Sequence, residues 1–344
     1  MKLTNKIVLG IAVVSTVLVS CNNQDIEFSD FDYQTVYFAK QYPIRTLELG
    51  EDENVDLTLD NQRKVKIMAT MGGVYANRQN RIIDIQLAEN LCDNLYFEGG
   101  ITKVVPMPKE YYKLASNQIV IPSGSIMGGV EVQLTDAFFE DEHSLSNNYV
   151  IPLVMTQVEG ADSILSGNPM TENPDRCVSS DWNIAPKDFV LYGIKYVNPW
   201  HGKYLRRGID LITDNGTTTS LERHETYVED DEIVGVTTKG LQVSELPLTV
   251  KDNVGNDLPL SLTLNFGKDS KCVISGNTET YEVTGTGKFV SKGEKNSMGG
   301  KDRDAIYLEY QINFKERNLS YVTKDTLVLQ TRNIAPETFK VIRK

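Results

Sequence analysis

Short runs of alternating apolar and polar residues, separated by turn residues, recur along almost the whole chain, and they constrain the fold more than any other feature. Val65-Lys66-Ile67-Met68-Ala69, Ile83-Asp84-Ile85-Gln86-Leu87 and Val130-Glu131-Val132-Gln133-Leu134 all alternate. Successive side chains on a strand point to opposite faces, so each run has one dry face and one wet one. Thr35-Val36-Tyr37-Phe38 begins the series, Ile119-Val120-Ile121 continues it, and Tyr149-Val150-Ile151-Pro152-Leu153-Val154-Met155 closes it. About seven short strands spaced by turns predict a β-sandwich with immunoglobulin-like packing. Helix is confined to short pieces, near 108–114 and 137–142.

Between Gly160 and Pro186 the pattern lapses into turn signals such as Ser166-Gly167-Asn168-Pro169 and Glu172-Asn173-Pro174-Asp175. Strand patterns then resume at Phe189–Tyr196, followed by Asn198–Tyr204. They continue through 217–228, 234–243, 258–266, 271–274, 281–291, 305–314 and 323–332. Hairpin signals at Asp214-Asn215-Gly216, 252–257 and Ser275-Gly276-Asn277 separate them. Consecutive strands of this kind predict an up-and-down, calycin-like β-barrel, which removes exposed sheet edges; a second open sandwich is the alternative. The chain is therefore read as all-β. A leader (1–20) and a tether (21–33) precede an immunoglobulin-like sandwich (34–185) and a barrel domain (186–344).

The N-terminus carries Lys2 and Lys6, then an apolar run from Ile7 to Val19, then Leu18-Val19-Ser20-Cys21. The run has the length of a signal-peptide core and is too short to span a bilayer comfortably. Leu-Val-Ser-Cys is a lipobox, which predicts export, cleavage before Cys21 and a lipid anchor on that cysteine. No later stretch is long and apolar enough to be a transmembrane helix, so membrane contact is expected through the anchor only. The formal charge of −12 becomes more negative by two once Lys2 and Lys6 leave. Such a chain repels phosphate backbones, which argues against nucleic acid as a partner.

Reaction chemistry is not legible. The three histidines, His143, His201 and His224, lack metal-ligand spacing, and no G-x-S-x-G elbow is present. Acidic runs such as Glu229-Asp230-Asp231-Glu232 read as solvated loops, and Asp252–Asp257 as a hairpin rather than a Ca²⁺ loop. Gly285-Thr286-Gly287-Lys288 lacks the spacing and the following helix of a phosphate loop. Neither a metal nor a cofactor is expected. Cys92, Cys177 and Cys272 allow at most one disulfide and read as small buried residues. Aromatic residues are the candidate ligand contacts, because sugar C–H faces pack on aromatic planes. They are Trp182, Trp200, Tyr192, Tyr196 and Tyr204. For Trp200 a structural plug at the barrel end is the stronger reading; Trp182 divides evenly between a surface platform and domain packing.

Asn198-Pro199-Trp200-His201-Gly202-Lys203-Tyr204, Gly285-Thr286-Gly287-Lys288-Phe289 and Gly299-Gly300-Lys301-Asp302-Arg303-Asp304-Ala305-Ile306-Tyr307-Leu308 together resemble a Bacteroidetes C-terminal barrel, domain-of-unknown-function family 5627. Tyr111-Tyr112 before Ile119–Gly124, with Tyr149–Leu153, resembles family 1735. The resemblance implies a lipoprotein encoded among glycan-uptake machinery. In relatives the N-terminal domain can precede a family-18 glycoside hydrolase barrel, whose D-x-x-D-x-D-x-E motif this chain lacks. Asn22–Glu27 is similar to the acidic surface-export signal of such lipoproteins, and Asp162-Ser163-Ile164 and Asp325-Thr326-Leu327 resemble O-glycosylation acceptors of that phylum. The resulting expectation is a non-catalytic outer-membrane lipoprotein facing the cell exterior that binds or presents a glycan. The alternatives are a structural subunit of an outer-membrane transporter complex and a glycosidase with an unrecognised carboxylate pair.

Overall fold

The computed structural model describes residues 31–344 apart from Asn253; the leader and Cys21 lie outside the described residues. The first half is a sandwich of two sheets. One runs in the order Ser163–Ile164, Thr35–Tyr37, Lys64–Gly72, Met127–Leu134, Tyr112–Leu114. The other runs Glu337–Thr338, Pro43–Glu48, Phe189–Val197, Tyr149–Glu159, Arg81–Leu87, Gln118–Ile121. Alternation behaves as predicted in Met127–Leu134, where Gly128, Val130, Val132 and Leu134 are buried and the residues between are not. Val36, Ile67, Ile83, Ile119, Val132 and Ile151 meet between the sheets in one apolar core. The expected short helical pieces are present as Lys109–Tyr111 and Asp136–Glu140.

Two features depart from the sequence reading. The strand Phe189–Val197, expected to open the second domain, lies in the middle of the sandwich. It pairs antiparallel with Tyr149–Glu159 and parallel with Pro43–Glu48. The chain leaves the sandwich only at Asn198–Trp200. The C-terminus then returns to it: Glu337–Thr338 adds to the edge of Pro43–Glu48, and Val341–Arg343 pairs with Leu95–Phe97. Both central strands are consequently buried on two faces. Ile151, Leu153 and Met155 face the inter-sheet core, while Val150, Val154, Phe189 and Leu191 pack with Leu95 and Phe339. Their near-continuous apolar runs are what a doubly covered strand requires.

The second half is a closed, eight-stranded antiparallel barrel. Its strands are Gly202–Asp214, Glu232–Thr238, Val243–Lys251, Asp257–Phe266, Lys271–Asn277, Tyr281–Glu294, Arg303–Phe314 and Leu319–Thr331. The first and last pair from Lys203↔Thr331 to Asp214↔Leu319, which closes it. Thr217–Arg223 adds a short flap to the upper half of the first strand. Val243–Lys251, which contains Pro247, has no run of its own among the strand patterns read from the sequence. It pairs with Glu232–Thr238 only at Ser244 and Glu245, so Pro247 lies beyond the paired stretch, where no ladder donor is needed on that side.

The free cysteines do not pair. Burial pushes the Cys92 and Cys272 thiols up to about 12 and Cys177 up to about 11, so all three are inert thiols.

Asp141 fixes the sandwich end nearest the barrel. Partial burial pushes its pKa upward. Hydrogen bonds from the Tyr149 hydroxyl (2.6 Å), the His143 amide and ring (both 2.9 Å) and the Tyr111 hydroxyl (3.1 Å) outweigh that and hold it at about 2. A carboxyl depressed below its ordinary value of about 3.9 stabilises the fold above that pH, and the contribution drains as pH falls through the folded value. Asp141→Asn should therefore flatten the acid limb of stability between about pH 4 and pH 2. Urea midpoints recorded across that range check it, and an unchanged limb would refute the assignment.

Candidate functional site

The structure does not assemble the aromatic candidates into one site. Trp200 is buried and stacks on Phe266, centroids 3.9 Å apart and planes 8° apart, plugging the barrel end next to the sandwich. The Tyr204 hydroxyl, fully buried beside it, donates to the Trp200 carbonyl at 2.9 Å. Tyr196 belongs to the sandwich core and donates to the Phe139 carbonyl at 2.9 Å. Tyr192 is half-buried against the same core. These four rings offer no ligand platform. Trp182 is half-buried in a small hairpin, its Nε1 donating to the Asp175 carbonyl at 2.7 Å.

The histidines do not form a reactive pair either. His201 is pushed down to about 4 by burial, then by Arg332 and Lys195, and its Nδ1 accepts from the Thr238 amide at 3.3 Å. His143 is held by Asp141, and His224 lies near Glu222 at the surface. Among the described residues, no three His, Cys, Asp or Glu side chains are grouped to hold a metal.

Inside the barrel the structure reveals an ionic network that the sequence did not announce. Arg223, Gly208 and Asp325 sit opposite one another on three adjacent strands. A Cβ on Gly208 would come within 2.5 Å of Asp325 Oδ1, so the glycine clears the path by which Arg223 Nη2 reaches that same atom at 2.5 Å. Asp325 also accepts from Arg206 Nε at 2.9 Å and the Tyr310 hydroxyl at 2.8 Å. Asp210 accepts from Arg223 at 2.6 Å and the Thr323 hydroxyl at 2.8 Å. Each carboxylate is engaged by a guanidinium, so the network ties the flap to the barrel wall. Asp325 and Leu327 are buried and Thr326 is half-buried within this paired strand.

A recess of about 430 Å³ lies between the sandwich loop 50–61 and the barrel. Contacts across it join the domains, while Asp302 pairs with Lys295 and Asp304 accepts from the Lys292 amide within the barrel. Arg332, buried at its floor, donates to the Leu49 carbonyl at 3.1 Å and the Asn198 carbonyl at 2.9 Å, and Lys301 lies 3.9 Å from Glu53.

A larger recess is a groove of about 750 Å³ on the outer face of the barrel. Strand register builds it from two cross-strand rows. Asn265, Val273, Thr286 and Glu309 stand side by side on four consecutive strands, and Lys271, Lys288 and Tyr307 form the next row. Gly287 lies between the rows and faces inward, where a Cβ would strike Cys272 Sγ at 2.8 Å, so its strand can approach the interior closely. The Tyr307 hydroxyl donates to Glu294 at 2.7 Å, and Lys288 Nζ lies 5.5 Å from the ring centroid. Burial, then the Glu294 hydrogen bond and charge, push this phenol up to about 12, so it remains a neutral donor. Val273 is 63% exposed at a position that the alternating pattern reserves for polar residues. Strands lie about 4.8 Å apart, so each step along a row is about one pyranose long. The one signal available in the sequence was an aromatic at a wet position, Tyr307 between the inward Ile306 and Leu308.

Among curated proteins none matches the sequence. The profile of domain of unknown function 5627 matches residues 199–333, which is the barrel, and a profile for an N-terminal domain matches 31–162. A Bacteroides ovatus protein of unknown function is 56% identical, with 91% of this chain and 100% of that one covered at a TM-score of 0.86. A second Bacteroides ovatus protein of unknown function is 13% identical, with 90% and 99% covered at a TM-score of 0.43. A multidomain Bacteroides ovatus protein including DUF1735 is 12% identical, with 83% and 89% covered at 0.39. The chain therefore belongs to the Bacteroides family of unknown function represented by that 56%-identical protein, with a C-terminal barrel of domain of unknown function 5627.

Proposed function

We propose that this chain is a non-catalytic glycan-binding protein, anchored to the outer membrane through Cys21 and facing the cell exterior, and that the outer groove of the barrel is its binding site. The observation that carries the proposal is the pair of cross-strand rows. Within one groove they place an aromatic ring, an exposed aliphatic side chain, an amide, a hydroxyl, a carboxylate and an ammonium. A sugar has the complementary surface: C–H faces for Tyr307 and Val273, and hydroxyls for Asn265, Thr286, Glu309 and Lys288. The groove is open along the rows, which suits an internal stretch of a polysaccharide better than a chain end.

Affinity electrophoresis against a panel of host and plant polysaccharides tests the proposal. At least one polysaccharide should retard the protein, and Tyr307→Ala should weaken that retention about tenfold, equivalent to about 1.4 kcal/mol. Ile233→Ser, on a different face of the barrel, should leave it unchanged. Uniform lack of binding across the panel would sink the reading. Protease accessibility on intact cells tests the exterior location.

A further inference from the structure

The sandwich has two poles with different surfaces. At one pole the loop after Glu48 meets the barrel, with Gly50 against Pro199 and Arg332. The strand Lys64–Gly72 starts near that pole and runs to the opposite one. There the described chain begins. Phe31 and Tyr75 stack with centroids 5.5 Å apart and planes at 23°, and Tyr33 lies beside the same turn, its carbonyl against Gly73. Phe31, Tyr33 and Tyr75 are each 60% exposed. The loop carrying Tyr75 is tied to the 122–126 turn by Asn77, which donates to the carbonyls of Pro122 and Ser125 at 2.9 Å. That turn adds the exposed Ile126 and Met127 to the same pole.

An exposed cluster of three aromatic and two aliphatic side chains is costly in water unless something covers it. We infer that the surface of the membrane holding Cys21 covers it, so that this pole rests on phospholipid headgroups and the sandwich holds the barrel groove off the bilayer. The inference rests on the lipid-anchor part of the proposed function. Nine residues separate Cys21 from Phe31, and even fully extended they reach no more than about 35 Å. The anchored chain therefore cannot carry this pole far from the membrane. Tyrosine is suited to the interface, with an apolar ring and a polar hydroxyl, and such rings gather at headgroup depth. The geometry also gives the groove a purpose. The sandwich stands between membrane and barrel, and the 11-residue strand Tyr149–Glu159 is about 36 Å long. The ligand rows are thus lifted tens of ångströms above the lipid.

The test uses the full, lipid-modified chain in phosphatidylcholine vesicles whose acyl chains carry bromine just below the headgroup. Tyr75→Trp places a fluorophore in the aromatic pole. Val254→Trp places one in a hairpin at the far end of the barrel, where Val254 is 76% exposed. Native Trp182 and Trp200 are common background to both. Bromine should quench the added emission of Tyr75→Trp at least about twofold more than that of Val254→Trp, and Phe31→Ser with Tyr33→Ser should reduce the difference. Mass measurement of the N-terminal peptide separates the two readings. Acyl chains on Cys21 with equal quenching of both tryptophans would overturn the membrane-facing pole and leave the anchor standing. An unmodified Cys21 would overturn both.

Discussion

Replacement of Asp325 by alanine should cost the barrel about 3–5 kcal/mol, because it removes one member of a buried, hydrogen-bonded ionic network. The Asp325 side chain has no exposed surface and receives Arg206, Arg223 and the Tyr310 hydroxyl. Without it, Arg206 is a buried cation whose remaining carboxylate, Glu232, is 51% exposed. Arg223 retains two contacts to Asp210, so the loss falls chiefly on Arg206. The pair Arg206→Met with Asp325→Leu should recover most of the stability, since charge and counter-charge leave together. Urea unfolding followed by the fluorescence of Trp200, which stacks inside the barrel, measures both. A cost below about 1 kcal/mol for Asp325→Ala, the size of an ordinary neutral hydrogen bond, would show that water reaches the network and that it does not hold the flap.

The all-β character and the order sandwich then barrel were legible because alternation is a local property. Leu260, Leu262 and Leu264 announce an inner face without reference to any other strand. What the sequence concealed is set by register and by chain return. Arg223, Gly208 and Asp325 are separated by more than a hundred positions at their extremes, and only the pairing of three strands makes a row of them. The groove is hidden in the same way: Asn265, Val273, Thr286 and Glu309 lie on four separate strands and have no common motif. The handover between domains was misplaced by one strand. Phe189–Val197 reads equally well as the last strand of one domain or the first of the next, and pairing with Pro43–Glu48 decides between them. Trp182, Trp200, Tyr192, Tyr196 and Tyr204 lie close in sequence to the domain boundary. That boundary is a core, so Trp200, Tyr204 and Tyr196 are inside it.

Phe339→Ala should destabilise the sandwich by about 3–5 kcal/mol, the cost of deleting a buried aromatic side chain, although the residue lies beyond the barrel in sequence. Phe339 is 8% exposed and packs edge-on to Tyr42, centroids 5.5 Å apart, and to Phe97, at 5.2 Å. With Leu95 it covers Val150, Val154, Phe189 and Leu191, the outward halves of the two central strands. Those strands are apolar on both faces, so removing the cover exposes hydrophobic surface that no neighbouring loop can replace. The adjacent Lys340 provides the control. Its ion pair with Glu98 is 3.2 Å long, but both side chains are mostly exposed, so Lys340→Ala should cost little. Chemical denaturation of the two variants separates a structural cover from a tail that merely lies on the surface. The cover requires the Phe339 variant to be far less stable than the Lys340 variant and to aggregate on partial unfolding, as an uncovered apolar sheet face would. Equal stability would mean that the C-terminal return contributes only its strand pairings with Pro43–Glu48 and Leu95–Phe97.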